Sequence, residues 1–239
     1  LEDCLLSIKD AGSPFVVMVS PQPVPSLMHL VNKWVRDPGV GLSKAVNIGI
    51  AALPDSIQYV TWLGDDDLIE PESITFSVKH LDSSPDVCAT FGGATYIDAS
   101  GQPFWVNKSG QWAVLLMRFG PNRIPQPGSL IRRTTFTQIG GLDEGLKFAM
   151  DLDMFLKLAR VGRIQHIARV FAQYRWHSES LSAGQAEKSL RESSIVRLRH
   201  VPLGLRHLAM IWEKLHVYLA SRGQSRLDAL SENQKSKRV

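Results

Sequence analysis

Three consecutive carboxylates, Asp65, Asp66 and Asp67, follow an apolar run at residues 59–63. Ligands of α/β folds gather where strands end, so this run predicts a buried strand that carries the three side chains to a binding edge. Carboxylate oxygens suit Mg²⁺ or Mn²⁺ and leave coordination positions open for phosphate. A solvated acidic turn ahead of a helix is the alternative, because Pro71 suits a first helical turn.

A second pair of carboxylates, Asp151 and Asp153, opens a predicted helix that Gly162 ends. Two positions along a helix differ by about 200° around its axis, so the two side chains point in different directions. One of them can face a binding site as a general base. The alternative for Asp151 is a cap on the helix, where the helix N-terminus would lower the pKa of the carboxyl group.

Helical and strand-like patterns alternate through the first hundred residues. The helical period predicts helices near residues 1–11, 43–53 and 71–81, and short apolar runs predict strands at residues 15–19, 59–63 and 87–91. This alternation favours an α/β fold with a mixed, mainly parallel sheet flanked by helices. Gly, Pro and Asn are frequent in residues 107–128, which predicts a loop with a short helix near the site.

Composition indicates a globular protein. The chain has 239 residues, of which 44% are hydrophobic. It has no apolar run of 18 residues and no signal-peptide pattern, so a cytoplasmic protein is predicted. Cys4 and Cys88 lack metal-ligand spacing and are predicted to be buried thiols.

The positive charge is concentrated in the C-terminal part. Residues 183–239 carry 11 Lys or Arg against 5 Asp or Glu, a balance of +6, whereas the whole chain has a net charge of +4. This basic region lacks the aromatic residues that alternate with basic ones in nucleic-acid-binding modules, so no nucleic-acid partner is predicted. Leu205, Leu208, Trp212, Leu215 and Leu219 form an apolar helical stripe in it.

Several blocks, taken in order, resemble family 2 glycosyltransferases with the GT-A fold. The blocks are residues 34–50, 62–67, 91–101, 124–133, 140–144, 149–160 and 174–177. Their joint spacing carries the resemblance, which covers residues 1–182. We therefore expect a GT-A-like catalytic domain in residues 1–182, without that family's first strand, and a basic helical extension in residues 183–239.

The resemblance implies a metal-dependent, inverting hexosyltransferase. Such an enzyme moves a sugar from a nucleotide-diphosphate donor, with a UDP-sugar favoured, to a hydroxyl of a saccharide or lipid-linked acceptor in bacterial polysaccharide or glycolipid synthesis. The implied residues are Asp65, Asp67 and His177 for Mn²⁺ or Mg²⁺; Lys44, Asn47, Asp65 and Asp66 for the donor; Asp151 as the base; and Gln126 and Asp153 on the acceptor side.

The sequence departs from the family at the base-binding segment. After the strand at residues 15–19 the family has an Asp followed by glycine, serine and threonine, but this chain has Ser20 followed by Pro21. A catalytically inactive relative that only binds nucleotide or sugar is therefore one alternative. A metal-dependent phosphohydrolase is another, because acidic groups at strand ends also serve that chemistry.

The apolar stripe leaves three interpretations open. A basic amphipathic helix over residues 203–222 is suited to peripheral contact with an anionic membrane. Packing onto the catalytic domain and formation of a homodimer are the alternatives.

Overall fold

The structure, a computed structural model, describes residues 1–176 and 185–213. Its helices are α1 (Glu2–Asp10), α2 (Leu42–Ala51), α3 (Ser73–Ser83), α4 (Trp112–Leu116), α5 (Arg133–Gln138), α6 (Met150–Val161) and α7 (Ala186–His200). Its strands are β1 (Val17–Ser20), β2 (Lys33–Arg36), β3 (Tyr59–Val60), β4 (Leu68–Ile69), β5 (Val87–Ile97), β6 (Pro103–Asn107), β7 (Ser129–Arg132) and β8 (Arg163–Arg175). Two 3₁₀ turns, Pro25–Leu30 and Leu203–Leu205, complete the set, and residues 206–213 are helical.

The strands form two sheets. Five strands of the six-stranded sheet have the order β3-β7-β5-β8-β4, and the sixth, β6, pairs with the C-terminal part of β5. Strands β1 and β2 form a separate parallel pair. The long strands β5 and β8 run parallel, and their register places Tyr96 beside Tyr174 and Ile97 beside Arg175. Their C-terminal ends therefore lie side by side at one edge of the sheet.

The sheet is mixed and flanked by helices, as predicted, and its described strands pair in both directions. β1 with β2 and β5 with β8 are parallel, whereas the β3–β7, β4–β8, β5–β6 and β5–β7 pairs are antiparallel. Alternation of helices and strands fixes the order of elements along the chain. It does not fix which strands pair, and β7 inserts between β3 and β5 in the opposite direction.

Apolar packing covers both faces of the larger sheet. Successive strand residues point to opposite faces, and Leu130 packs with Leu81 of α3 while Ile131 belongs to the large core with α6. Leu152, Phe155 and Leu158 of α6 are buried in that core. Helix α6 is therefore held firmly against the sheet, and so is the first turn that carries Asp151.

A cavity of about 600 Å³ separates β1 from β3. Its walls are mainly apolar and include Val17, Val19, Ile50 and Val60, and Asp65 lies at its border. Within the described ranges, neither β1 nor β3 pairs with a further strand on its side of this cavity.

The C-terminal region begins with α7, which packs directly on α6. Val196 of α7 is fully buried and joins the large core. Leu208 and Ile211 in the following helical residues are about two thirds exposed, at 67% and 70%. The remainder of the predicted stripe, Leu215 and Leu219, lies outside the described residues. No helix within residues 1–176 and 185–213 combines the length and apolar character needed to cross a membrane.

Candidate active site

The three carboxylates lie on a tight turn between β3 and β4. The Asp67 amide donates to the Gly64 carbonyl at 3.4 Å, which curls the chain back on itself. A side-chain Cβ placed on Gly64 would meet Asp66 Oδ1 at 3.0 Å and Asp67 Oδ2 at 3.2 Å. The two carboxylates therefore approach one point beside Gly64, while Asp65 is exposed at the cavity border.

Arg175, at the end of β8, holds this turn in place. Its amide donates to Asp67 Oδ1 at 2.9 Å, and its Nε donates to the Asp66 carbonyl at 3.0 Å. Its Nη1 donates to the carbonyls of Asp98 and Ala99 at 3.0 and 3.2 Å. No residue pattern predicted a role for Arg175, although it lies in a block that carries the family resemblance.

Asp67 is buried, with 5% of its surface exposed. Burial disfavours the charged form and raises the pKa of this carboxyl to about 7. The hydrogen bond from the Arg175 amide opposes this rise, and the charges of Asp66 and Asp65 add to it. A cation bound here would relieve both the burial penalty and the repulsion.

The donor set fits a hard divalent cation in part. Carboxylate oxygens of Asp66 and Asp67 approach one point, and Mg²⁺ is commonly held by one or two carboxylates plus substrate phosphates. In the described part of the chain, no three His, Cys, Asp or Glu side chains converge to hold a metal by themselves. The predicted ligand His177 lies outside that part.

Asp151 lies in the first turn of α6 and is half-buried. The Asn122 side chain donates to its Oδ2 at 2.9 Å, and the Leu152 amide donates to its Oδ1 at 2.7 Å. Removal from water outweighs these bonds and raises its pKa to about 6. The lowered pKa expected for a helix cap was therefore wrong, because burial dominates over the helix terminus.

Residues 121–128 connect the two acidic groups. Asn122 bonds to Asp151, and Gln126 Nε2 donates to the Trp62 carbonyl at 2.7 Å, just ahead of the acidic turn. The predicted acceptor-side residue Gln126 is thus bonded just ahead of the acidic turn, on the segment whose Asn122 bonds to Asp151.

Tyr96 is influenced by the charges of both acidic groups. Burial raises the pKa of its hydroxyl, as does Tyr174, and the charges of both Asp67 and Asp151 raise it further. Its ring contacts a cluster of aromatic side chains: Phe104, Trp105, Tyr174 and Trp176. An aromatic wall therefore lies within electrostatic range of both carboxylates.

The predicted donor contacts on α2 have partners within the protein. Lys44 Nζ forms a 3.1 Å ion pair with Glu144, and Asn47 bonds to the Leu142 carbonyl, the Leu142 amide and Glu144. These contacts fasten α2 to the turn after α5. They favour a structural role for Lys44 and Asn47.

Asp153 is also engaged by the protein. Its Oδ1 lies 2.9 Å from His200 Nε2, and its Oδ2 lies 2.6 Å from Lys157 Nζ. Its pKa is lowered: burial would raise it, but the bonds from His200 and Lys157 prevail. This environment favours a structural role over the predicted acceptor-side role.

Comparison with solved structures reveals one recurring fold. TarS of S. aureus, residues 1–349, superposes with a TM-score of 0.58 at 14% identity over 91% of this chain and 67% of that one. A mannosyltransferase from Pyrobaculum calidifontis with GDP-Man and Mn²⁺ gives 0.55 at 14% identity over 99% and 71%. The chain has a GT-A-like glycosyltransferase fold. GalNAc-T7 with UDP, GalNAc and Mn²⁺ adds a TM-score of 0.54 at 14% identity, over 79% of this GT-A-like chain and 44% of GalNAc-T7.

Sequence comparison gives two distant relatives. An uncharacterized glycosyltransferase of Rickettsia felis is 28% identical over 148 residues, which are 58% of this chain and 24% of that protein. The uncharacterized protein y4gI of Sinorhizobium fredii is 28% identical over 141 residues, or 55% of this chain and 14% of y4gI. The GT-A-like chain thus matches less than a quarter of the length of either relative. No protein-family model matches it.

Proposed function

We propose that this protein is a metal-dependent, inverting hexosyltransferase that uses a nucleotide-diphosphate sugar. The observation that carries the proposal is the pair of raised-pKa carboxylates, Asp67 and Asp151, joined by residues 121–128 beside the aromatic wall. The GT-A-like fold supports sugar transfer. GalNAc-T7 with UDP and the mannosyltransferase with GDP-Man support a nucleotide-sugar donor, of which we favour a UDP-sugar.

Asp151 serves as the general base. A base with a pKa near the working pH is most effective, and about 6 meets this requirement. The acceptor hydroxyl gives its proton to Asp151 while its oxygen bonds to the anomeric carbon. The bond from that carbon to the diphosphate oxygen breaks with its electron pair, which gives inversion in one displacement.

Asp67 and Asp66, with Asp65 beside them, hold Mn²⁺ or Mg²⁺. The ion supplies charge stabilisation for the departing nucleoside diphosphate when it is bound. Arg175 fixes the turn that presents these carboxylates, and Gln126 borders the path between donor and acceptor. The structures of GalNAc-T7 and of the mannosyltransferase, both with Mn²⁺, support this assignment.

Calorimetric titration tests the donor site. We expect UDP to bind in the presence of Mn²⁺, with GDP and dTDP tested in parallel, and the binding to be lost in Asp67→Ala. Product analysis by NMR should then show an inverted anomeric centre. Absence of binding to all three nucleotides would reject the proposal, and binding without turnover would favour the inactive relative. Release of inorganic phosphate would favour a phosphohydrolase.

We further propose that the enzyme is cytoplasmic and works at the inner face of the membrane on a saccharide or lipid-linked acceptor, in bacterial polysaccharide or glycolipid synthesis. Trp112, Leu115, Leu208 and Ile211 are exposed, and Trp212 Nε1 donates to the Phe119 carbonyl, which links α4 to residues 206–213. Apolar side chains on a basic region support peripheral contact with anionic lipid. A homodimer through the same surface is the alternative.

A further inference from the structure

Glu192 of α7 binds the segment that leads into α6. Its Oε2 accepts hydrogen bonds from the amides of Lys147 at 3.1 Å, Phe148 at 2.5 Å and Ala149 at 2.7 Å, and its Oε1 accepts a second one from Lys147 at 3.0 Å. Helix α6 has no capping side chain of its own at Ala149. One carboxylate from a helix that is distant in sequence therefore holds three successive backbone amides. The last of them, that of Ala149, is two residues ahead of Asp151.

Helix α7 also binds the segment that contains Asn122, the residue whose side chain bonds to Asp151. Arg197 is buried, pairs with Glu213 at 2.6 Å, and donates through Nη1 to the Gly120 carbonyl at 3.1 Å. Gly120 lies two residues ahead of Asn122, whose side chain bonds to Asp151. Both segments that set the position of the Asp151 carboxylate are thus bonded to α7.

Two further contacts fix α6 against α7. His200 pairs with Asp153, and its carbonyl accepts a 2.8 Å hydrogen bond from Arg160. The first contact reaches the first turn of α6 and the second its last turn, while Glu192 binds the backbone amides ahead of Asp151. Charged hydrogen bonds of this kind are strong and directional, and they define the backbone geometry of the segment that they bind.

We propose that Glu192 is a positioning residue, through which the C-terminal extension aims Asp151 at the acceptor hydroxyl. This inference rests on the proposed function, because it assigns Glu192 a role through the base. Misplacement of a reacting group by about 1 Å can cost about 100-fold in rate. Loss of the Glu192 contacts should therefore act on the chemical step rather than on binding of the donor, which contacts the acidic turn.

The test uses the whole chain with ¹³C-labelled aspartate carboxyls. Glu192→Ala removes all four hydrogen bonds, and Glu192→Gln keeps the shape but leaves one uncharged acceptor oxygen. Glu187→Gln is the matched control, because Glu187 lies on the same helix and forms an exposed pair with Arg191. NMR follows the titration of Asp151 in each variant, and release of nucleoside diphosphate from the selected nucleotide sugar gives kcat and KM.

In Glu192→Ala we expect the Asp151 titration midpoint to fall by about half a pH unit or more, because water reaches a loosened helix start and a nearby negative charge is lost. We expect kcat to fall about 10- to 100-fold with the donor KM unchanged. Glu192→Gln should show smaller changes in the same direction, and Glu187→Gln none. If Glu192→Ala does not fold, Glu192→Gln decides the question.

An Asp151 titration identical to the parent in a folded Glu192 variant would overturn the inference. This outcome is independent of the proposed function, because the titration needs no substrate. Undiminished turnover in Asp151→Asn would instead overturn the assignment of the base while leaving the titration results interpretable.

Discussion

At the scale of single residues, burial sets the protonation of the two central carboxylates. Asp67 and Asp151 both have a raised pKa, with desolvation as the largest cause. Each therefore holds a proton more readily in the folded protein than in the unfolded chain. At neutral pH, ionisation of these buried carboxylates lowers the stability of the folded protein. Such a cost is common where function requires a group with a perturbed pKa.

Asp67→Asn is expected to stabilise the protein at pH 8. A folded pKa of about 7, above the ordinary value of 3.8, means that the contribution of Asp67 to stability is full below pH 4 and is lost as the pH rises to 7. The neutral amide avoids this loss, so the free energy of unfolding at pH 8 should rise by about 4 kcal/mol and at pH 4 should barely change.

Urea unfolding at the two pH values in metal-free buffer measures this effect. Asp65→Asn, at an exposed neighbouring carboxylate, is the control and should change little. In parent protein, Mn²⁺ should raise the melting temperature at pH 8 and EDTA should reverse the rise. A less stable Asp67→Asn protein at pH 8 would contradict the burial argument.

Turnover should depend on pH through Asp151. Only the ionised carboxylate accepts the acceptor proton, so the rate of the chemical step should rise through pH 6 and level off above pH 7. Asp151→Asn should lower kcat by about 100-fold or more while nucleotide affinity is unchanged. Measured rates of nucleoside diphosphate release from pH 4.5 to 9 decide this, and a flat profile would refute the role of Asp151.

At the scale of elements, the parallel pair of β5 and β8 brings the site together. Register places Ile97 beside Arg175, and the Trp176 amide donates to the Ile97 carbonyl at 2.8 Å. This pairing sets Arg175 against both the acidic turn and the Asp98 turn. The end of β8 therefore links two loops that are far apart in sequence.

Arg175→Ala should loosen the acidic turn. The variant keeps the backbone bond to Asp67 but loses the side-chain bonds to the carbonyls of Asp66, Asp98 and Ala99. We expect about 10-fold weaker Mn²⁺-dependent binding of UDP and a loss of about 1–3 kcal/mol in unfolding free energy.

Calorimetry and urea unfolding report the two effects of Arg175→Ala. The matched control is Arg169→Ala on the same strand, where the guanidinium lies over the Phe76 ring away from the acidic turn. Unchanged nucleotide affinity in Arg175→Ala would show that the turn keeps its geometry without this side chain.

At the scale of the whole molecule, the C-terminal region has two surfaces with different uses. Its inner surface is bonded to the start of α6 through Glu192 and His200, and to Gly120 through Arg197. Leu208 and Ile211 are exposed in the helical residues that follow. Such an arrangement would place a membrane contact and the support of the base in one region of the chain.

Vesicle flotation tests the exposed surface. The protein should float with vesicles that contain anionic phosphatidylglycerol and stay in solution with neutral phosphatidylcholine. A double variant, Leu208→Asp with Ile211→Asp, should lose this binding, whereas Leu6→Asp, at an exposed position of α1, should retain it. Binding that survives the double variant would move the contact elsewhere, and a concentration-dependent dimer that the variant abolishes would favour the homodimer.

Periodicity and residue type were sufficient to predict the local chemistry and several of the elements that carry it. Helices α1, α2 and α3 appear where periodicity predicted them, and β5 begins where an apolar run predicted a strand, because each has an apolar pattern that one kind of element can bury. The positions of Asp67 after a strand and Asp151 in a first helical turn follow from the same patterns. The order of the sequence blocks likewise predicted the GT-A-like fold.

Only the tertiary structure decided how these parts combine. The direction of strand pairing, the burial that raises the pKa of Asp67 and Asp151, and the contacts of Arg175 and Glu192 all depend on residues that are far apart in the sequence. Asp153, Lys44 and Asn47 have residue types suited to a site, yet their side chains bond to the protein. The type of a residue sets the roles that its side chain is able to perform. The groups that surround the side chain in the folded protein determine which of those roles it has.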